Sequence, residues 1–215
     1  MYLPQQFEES RLDVLHALIR SHPLGALVTL SGTELSADHL PFLIQPDQGA
    51  KGQLCGHVPR ANPVWKQLGG SVEALVIFQG PESYVTPSWY PSKDADGKVV
   101  PTWNYAVVHA YGRPRVIDDR GWLLEHVTRL TAFQETGQAH PWQVSDAPKD
   151  FIERMIGRIV GIEIPISKLV GKWKVSQNRD LADRLGVVAG LEAQHTDRSR
   201  AMAGLVRTSN KGTHD

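Results

Sequence analysis

Between Leu24 and Val58 the chain runs LGALVTL (24–30), LSADHLPFLI (35–44) and GQLCGHV (52–58), three short apolar stretches separated by a Ser31-Gly32 turn and a Gly-rich turn. This is the spacing that an antiparallel meander requires. VEALVIFQG (72–80), SYVTPSWY (83–90) and VPTWNYAVVHAYGRPRVI (100–117) continue the pattern, with an SKDADGK loop between the last two, so about six strands are expected. Helical signals are grouped around these runs. Leu12, Leu15, Leu18 and Ile19 recur at helical spacing from Glu8 to Arg20, ended by His22-Pro23. Asn62-Pro63 starts a short helix that Gly69-Gly70 stops about two turns later. Asp118-Asp119 caps a helix carrying Trp122, Leu123, Val127 and Leu130, and a second helix lies within PKDFIERMIGRI (148–159). GIEIPI (161–166) returns to strand character, KLVGKWKVSQN (168–178) reads as strand or loop, and the rest predicts two small surface helices with a frayed basic end. Many short strands with segregated helices place the chain in the α+β class, as an antiparallel β-barrel with flanking helices.

At 215 residues one main core with an appendage is expected: a barrel domain over 1–178 and a helical extension over 179–215. Lys and Arg number 23, as do Asp and Glu, so no global field draws the protein to DNA or to an anionic membrane, and any bound anion must be held locally. The single cysteine, Cys55, excludes an intrachain disulfide framework, suits a reducing cytosol and reads as a buried thiol. MYLPQQFEES carries no signal-peptide pattern, and no run of about 18 apolar residues occurs, so a cytoplasmic, membrane-free protein is expected.

Four constellations bear on chemistry. In GHVPRANPVW (56–65) a strand ends and a helix begins with Arg60 just ahead of it; the guanidinium fork and the free N–H groups suit a phosphate, while the alternative is a surface arginine beside a helix start. Six aromatic residues fall between Tyr84 and Tyr111. Trp89 and Trp103 suit the face of a nucleobase or an isoalloxazine, with Ser88, Thr102 and Asn104 as hydrogen-bonding groups, and equally suit core or dimer interface. His39, His57 and His109 lie on three expected strands, but no ligand spacing supports a metal, and none is expected. Lys168, Lys172 and Lys174 surround Trp173 ahead of Ser176, Gln177 and Asn178, an interleaving that fits a nucleic-acid surface, a lid over a phosphorylated flat ligand, or a solvated strand edge. Walker A, GxGxxG, GxSxG and helix-turn-helix patterns are lacking.

MYLPQQF, DHLPF (38–42), GHVPRANP (56–63), IFQGPESYVTPSWYPSK (77–93), VPTWNYAVVHAYG (100–112) and KVSQN (174–178) stand in order along the chain. Together they resemble the motif set of the PaiB family, bacterial FMN-binding negative transcriptional regulators related to the split-barrel flavoproteins. The resemblance spans Met1 to about Asn178. It implies a homodimeric split β-barrel with FMN pockets at the subunit interface. By this likeness Arg60 meets the flavin phosphate beside Asn62, and His39, Pro41, His57, Trp103 and Asn104 line the pocket. Lys174, Gln177 and Asn178 close it, from the partner chain. Pro59 stands where many relatives have Ala. Tyr84, Trp89 and Tyr105 are the residues expected to cover a dimer face. The family reading implies a transcriptional regulator acting indirectly, since neither charge nor motif supports DNA contact. An FMN-dependent small-molecule oxidoreductase and a haem-binding split-barrel protein remain as alternatives.

Overall fold

The computed structural model describes residues 1–69 and 72–209, with Asp96 by its backbone alone. Gly70 of the expected helix stop and the end of the basic tail lie outside the described residues. Nine strands are present among the described residues: β1 (Glu8–Glu9), β2 (Leu24–Ser31), β3 (Glu34–Pro41), β4 (Leu43–Gln45), β5 (Gln53–Pro59), β6 (Ala74–Val85), β7 (Thr102–Gly112), β8 (Arg115–Ile117) and β9 (Ile159–Lys174). The helices are α1 (Leu12–Ser21), α2 (Val64–Gln67), α3 (Lys93–Asp96), α4 (Arg120–Gln134), α5 (Lys149–Ile156), α6 (Leu181–Glu192) and α7 (Asp197–Thr208). The strands run β3-β2-β6-β7-β9-β5-β4, with β1 and β8 also pairing with β9. This is the expected α+β class.

The chain divides into two compact units, one of Met1–Leu18, Gln79–Val108 and Val170 onward, the other of Ile19–Phe78 and His109–Leu169. The second unit is built on the meander. β2 and β3 pair from Leu24↔Pro41 to Ser31↔Glu34 across a two-residue turn. Gly32 there sits at φ 60, a conformation that glycine adopts without strain. The expected 35–44 strand divides at Phe42, which turns inward, packs edge-on to Phe78 at 5.9 Å between ring centroids, and donates its N–H to Pro23 O. β5 pairs with β9 from Gln53↔Pro165 to Pro59↔Ile159. Leu27, Leu40, Leu54, Val58, Val76, Leu123, Ile162 and Ile164 fill this unit's interior.

The first unit corrects several expectations. Helix α1 begins at Leu12 rather than Glu8, because Glu8 and Glu9 pair with Lys172 and Gly171 of β9. Gly171 lets that strand lie against Leu15, since a Cβ there would overlap the leucine methyl. The runs 72–80 and 83–90 were expected as two strands, but β6 is continuous to Val85. Gly80, where the first of the two runs was expected to end, is a point of close approach where a Cβ would sit 2.8 Å from Leu18. Nor are the C-terminal helices surface appendages. Val187, Val188 and Leu191 of α6 and Met202, Ala203 and Val206 of α7 form one buried cluster with Val85, Tyr90 and Val175. Trp89, one of the residues expected in core or at a dimer face, packs on α6, where Gly186 and Gly190 clear a flat patch for it.

Candidate functional site

The ten expected site residues fall five in each unit, and each group is built separately. In the second unit, β5 ends at Pro59 and delivers Arg60 to the turn between α5 and β9. Its backbone N–H donates to Arg158 O at 2.7 Å. The side chain donates from Nε to Gly157 O at 3.1 Å and from Nη2 to Ile159 O at 3.2 Å. The outer edge of the guanidinium holds Asp118 in a two-pronged pair, Nη1 to Oδ2 at 2.9 Å and Nη2 to Oδ1. That fork holds the Asp118 carboxyl below its usual range. Trp65 Nε1 donates to Arg60 O at 3.0 Å, which ties the following segment to the same point.

The helix expected after Asn62 is a single turn, α2, starting one residue later than its capping pattern suggests. Asn62 nonetheless caps it locally, accepting from Val64 N at 2.9 Å, while its amide donates to Asp38 Oδ1 at 2.7 Å. On β3, His39 is exposed opposite Ala26, and Pro41 is half-buried opposite Leu24.

His57 is half-buried on β5, and its Nδ1 lies 3.2 Å from Nε2 of His126, a buried residue of α4. Trp122 stacks on His126 with centroids 5.0 Å apart and donates from Nε1 to Glu163 Oε1 at 2.9 Å. Its ring occupies the space a Cβ would take at Gly161. Burial lowers both histidine pKa values, that of His126 to about 4, so the pair is neutral, one ring donating and the other accepting. A cavity of about 310 Å³ opens beside them, lined by Gln45, Gln53, His126, Arg129 and Glu163 among others. Sequence reasoning missed His126, although its spacing from Leu123 and Leu130 puts it on the buried face of α4. His109 is half-buried with Nδ1 unpartnered. Among the described residues no group of three His, Cys, Asp or Glu is placed to hold a metal ion.

In the first unit, Trp103 is 51% exposed and meets Tyr84, 47% exposed, edge-on at 6.1 Å. Lys174 donates to Thr102 Oγ1 and, at 2.9 Å, to Trp103 O, and burial followed by the nearby Lys172 and Arg179 charges lowers its pKa. Asn104 is buried and donates from Nδ2 to Ser176 Oγ at 2.8 Å; its Oδ1 has no hydrogen-bond partner among the described residues. Ser176 takes a left-handed φ of 64, and Gln177 braces that turn, accepting from Val175 N at 2.7 Å and donating to Trp173 O. Asn178 is exposed. Lys172 of the expected basic row is buried, its Nζ on Tyr2 O at 3.1 Å and 5.4 Å from the Tyr105 ring centroid.

These features sit in a chain whose relatives are identifiable. Residues 1–168 match the family described as "Putative FMN-binding domain". An uncharacterized protein of Emericella nidulans is 37% identical over 242 residues, covering 96% of each chain. The Bacillus subtilis "Protease synthase and sporulation protein PAI 2" is 28% identical, covering 98% of this chain and 99% of its own. Among solved structures, the flavocytochrome Anf3 of Azotobacter vinelandii superposes with a TM-score of 0.56 at 13% identity, covering 78% of this chain and 69% of its own. The FAD and heme binding protein of Mycobacterium smegmatis gives 0.59 at 14%, covering 78% and 73%. At such identities these two structures speak for the fold alone. No helix among the described residues is long and apolar enough to cross a membrane. The match over most of its length and the PAI 2 likeness place the chain in the FMN-binding family of PaiB, with FMN as its cofactor.

Proposed function

We propose that the protein is a homodimeric FMN-binding regulator of the PaiB type in which Arg60 receives the flavin phosphate. The observation that carries this reading is the state of the Arg60 side chain. Two backbone carbonyls, Gly157 O and Ile159 O, fix the guanidinium plane, and its outer edge already grips a carboxylate with two N–H groups. A phosphate presents the same oxygen spacing with more charge, so the seat suits it. It needs no helix dipole, which the single turn of α2 would supply poorly.

The ring-edge groups are proposed to be Trp103 and Asn104. Asn104 Oδ1 is a buried acceptor without a partner among the described residues, and a ring N–H is a suitable donor for it. Lys174, Gln177 and Asn178 are proposed to act across the dimer, with the exposed Tyr84 and the ring of Tyr105 at the contact. FMN would supply one- or two-electron chemistry. Regulation of transcription is proposed to be indirect, because a chain with equal numbers of acidic and basic residues neutralises few phosphates of DNA.

The test is a titration of wild type and Arg60→Ala with FMN and with riboflavin, which has the ring but no phosphate, followed by flavin fluorescence. FMN affinity is expected to fall about tenfold or more on loss of the charged fork, with riboflavin unchanged. Equal losses for both ligands would assign Arg60 to the fold, and no loss for either would place the phosphate elsewhere. An absorption spectrum of the purified protein separates flavin from the haem that the Mycobacterium smegmatis structure's name also includes; a Soret band would favour the haem reading.

A further inference from the structure

We infer that Asp118 is a built-in competitor for the phosphate seat, an intrachain carboxylate that a phosphorylated ligand must displace from Arg60. The inference rests on the reading of Arg60 as the phosphate anchor. A guanidinium has five N–H donors. Nε–H and one N–H of Nη2 point at Gly157 O and Ile159 O and stay with the protein. The two that form the outer edge go to Asp118.

The pair is solvated, its side chains 37% and 57% exposed, so exchanging one anion for another costs little. Asp118 is not needed to start α4. Its neighbour Asp119 is the cap, accepting from Trp122 N at 2.7 Å, and the hydrogen bonds described for Asp118 go to Arg60. One aspartate of the pair therefore builds the helix and the other guards the arginine.

Three consequences follow for ligand choice. The carboxylate keeps the fork oriented when no ligand is present. It raises the threshold for binding, because a ligand gains only the difference between its own anion and Asp118. A phosphate, with more charge and a third oxygen, exceeds a carboxylate there, whereas an unphosphorylated flavin gains nothing. Asp118 thus lowers the affinity for any ligand that must take the fork, narrowing the gap between phosphorylated and unphosphorylated flavin while leaving the latter's affinity untouched.

The test measures FMN and riboflavin dissociation constants for wild type, Asp118→Asn, Arg60→Ala and the double variant. Asp118→Asn is nearly isosteric and exposed, so it serves without disturbing the core. FMN is expected to bind it about three- to fivefold more tightly, the scale of an exposed ion pair, with riboflavin unchanged. In the Arg60→Ala background the gain should vanish. A gain that persists there would mean long-range repulsion and overturn the competition. So would weaker FMN binding to Asp118→Asn, which would make Asp118 an orienting group. If Arg60→Ala weakens FMN but Asp118→Asn leaves it unchanged, the anchor stands and the competition falls. Unchanged FMN binding to Arg60→Ala overturns both. Should Arg60→Ala not fold, Arg60→Gln takes its place in the cycle, with riboflavin binding as the check on the fold.

Discussion

Replacing Gly186 by alanine tests how the C-terminal helices are attached. In an exposed helix interior the change should stabilise, by about 0.5–1 kcal/mol, because alanine loses less backbone freedom on folding. Gly204 of α7, half-buried, has room for the change: a Cβ there meets nothing within 4 Å. Gly186 differs. Its Cβ would overlap the carbonyl oxygen of Trp89 and lie 3.1 Å from Pro91 Cδ. A backbone oxygen cannot rotate away as a side chain can. Helix α6 must therefore lift from the 87–89 turn, loosening Val187, Leu191 and Met202, which are buried to within 1%. Overpacking of this kind costs roughly 1–3 kcal/mol. Subtracting the propensity gain leaves Gly186→Ala less stable than wild type by up to about 2.5 kcal/mol, while Gly204→Ala is more stable by up to about 1 kcal/mol. Urea unfolding followed by circular dichroism and by tryptophan fluorescence measures both. If Gly186→Ala gains as much as Gly204→Ala, α6 does not rest on the Trp89 turn, and the packing described for this unit is wrong.

Two further outcomes follow from buried titratable groups. His57 and His126 have folded pKa values below their ordinary 6.5, that of His126 at about 4. Below pH 6.5 the unfolded chain therefore binds more protons than the folded one. Stability is full above pH 6.5 and falls as pH drops toward 4, by about 3 kcal/mol from His126 alone. His126→Gln should flatten the dependence of melting temperature on pH across that window, and an unchanged slope would remove the claim. Burial pushes the Cys55 thiol up to about 11 and leaves it 1% exposed. Its reaction with a disulfide reagent at neutral pH should be at least on the order of 100-fold slower in the native protein than in urea, from thiolate fraction alone; equal rates would show that β5 is open.

The strands that read correctly from sequence are those with one buried face. β2 alternates buried Gly25, Leu27 and Thr29 with more accessible neighbours, and its pairing follows from that alternation and the Gly32 turn. The division of β6 into two runs has a local cause. Gly80-Pro81 looks like a break because the local signal for a turn is the same as the signal for a close approach between elements. Pro165 lies inside β9, paired with Gln53, and Gly112 makes room for its carbonyl. Gly186 and Gly190 weaken the helical reading of α6 for the same reason. Only the position of the partner distinguishes the two cases, and that partner is 97 to 101 residues away for α6, at Trp89.

At the site, the residue types were legible and their partners were not. Arg60 stands out as a guanidinium beside a turn, but Asp118, 58 residues later, reads as half of a helix cap. A cap uses one side chain, here that of Asp119, so Asp118 was left as an acceptor whose partner the sequence does not name. The KVSQN motif shows the converse. Ser176 holds a left-handed backbone under the Asn104 amide, and Gln177 spends both ends of its side chain on the neighbouring backbone. Motif likeness there follows from the needs of a tight turn as well as from any ligand. Within that group, Gln177 has little capacity left, whereas Asn104 has a buried acceptor with no donor among the described residues. An unmatched buried acceptor costs stability unless something supplies the hydrogen. Asn104, rather than the more conspicuous Gln177, is therefore the member of that group with the stronger physical reason to meet a ligand.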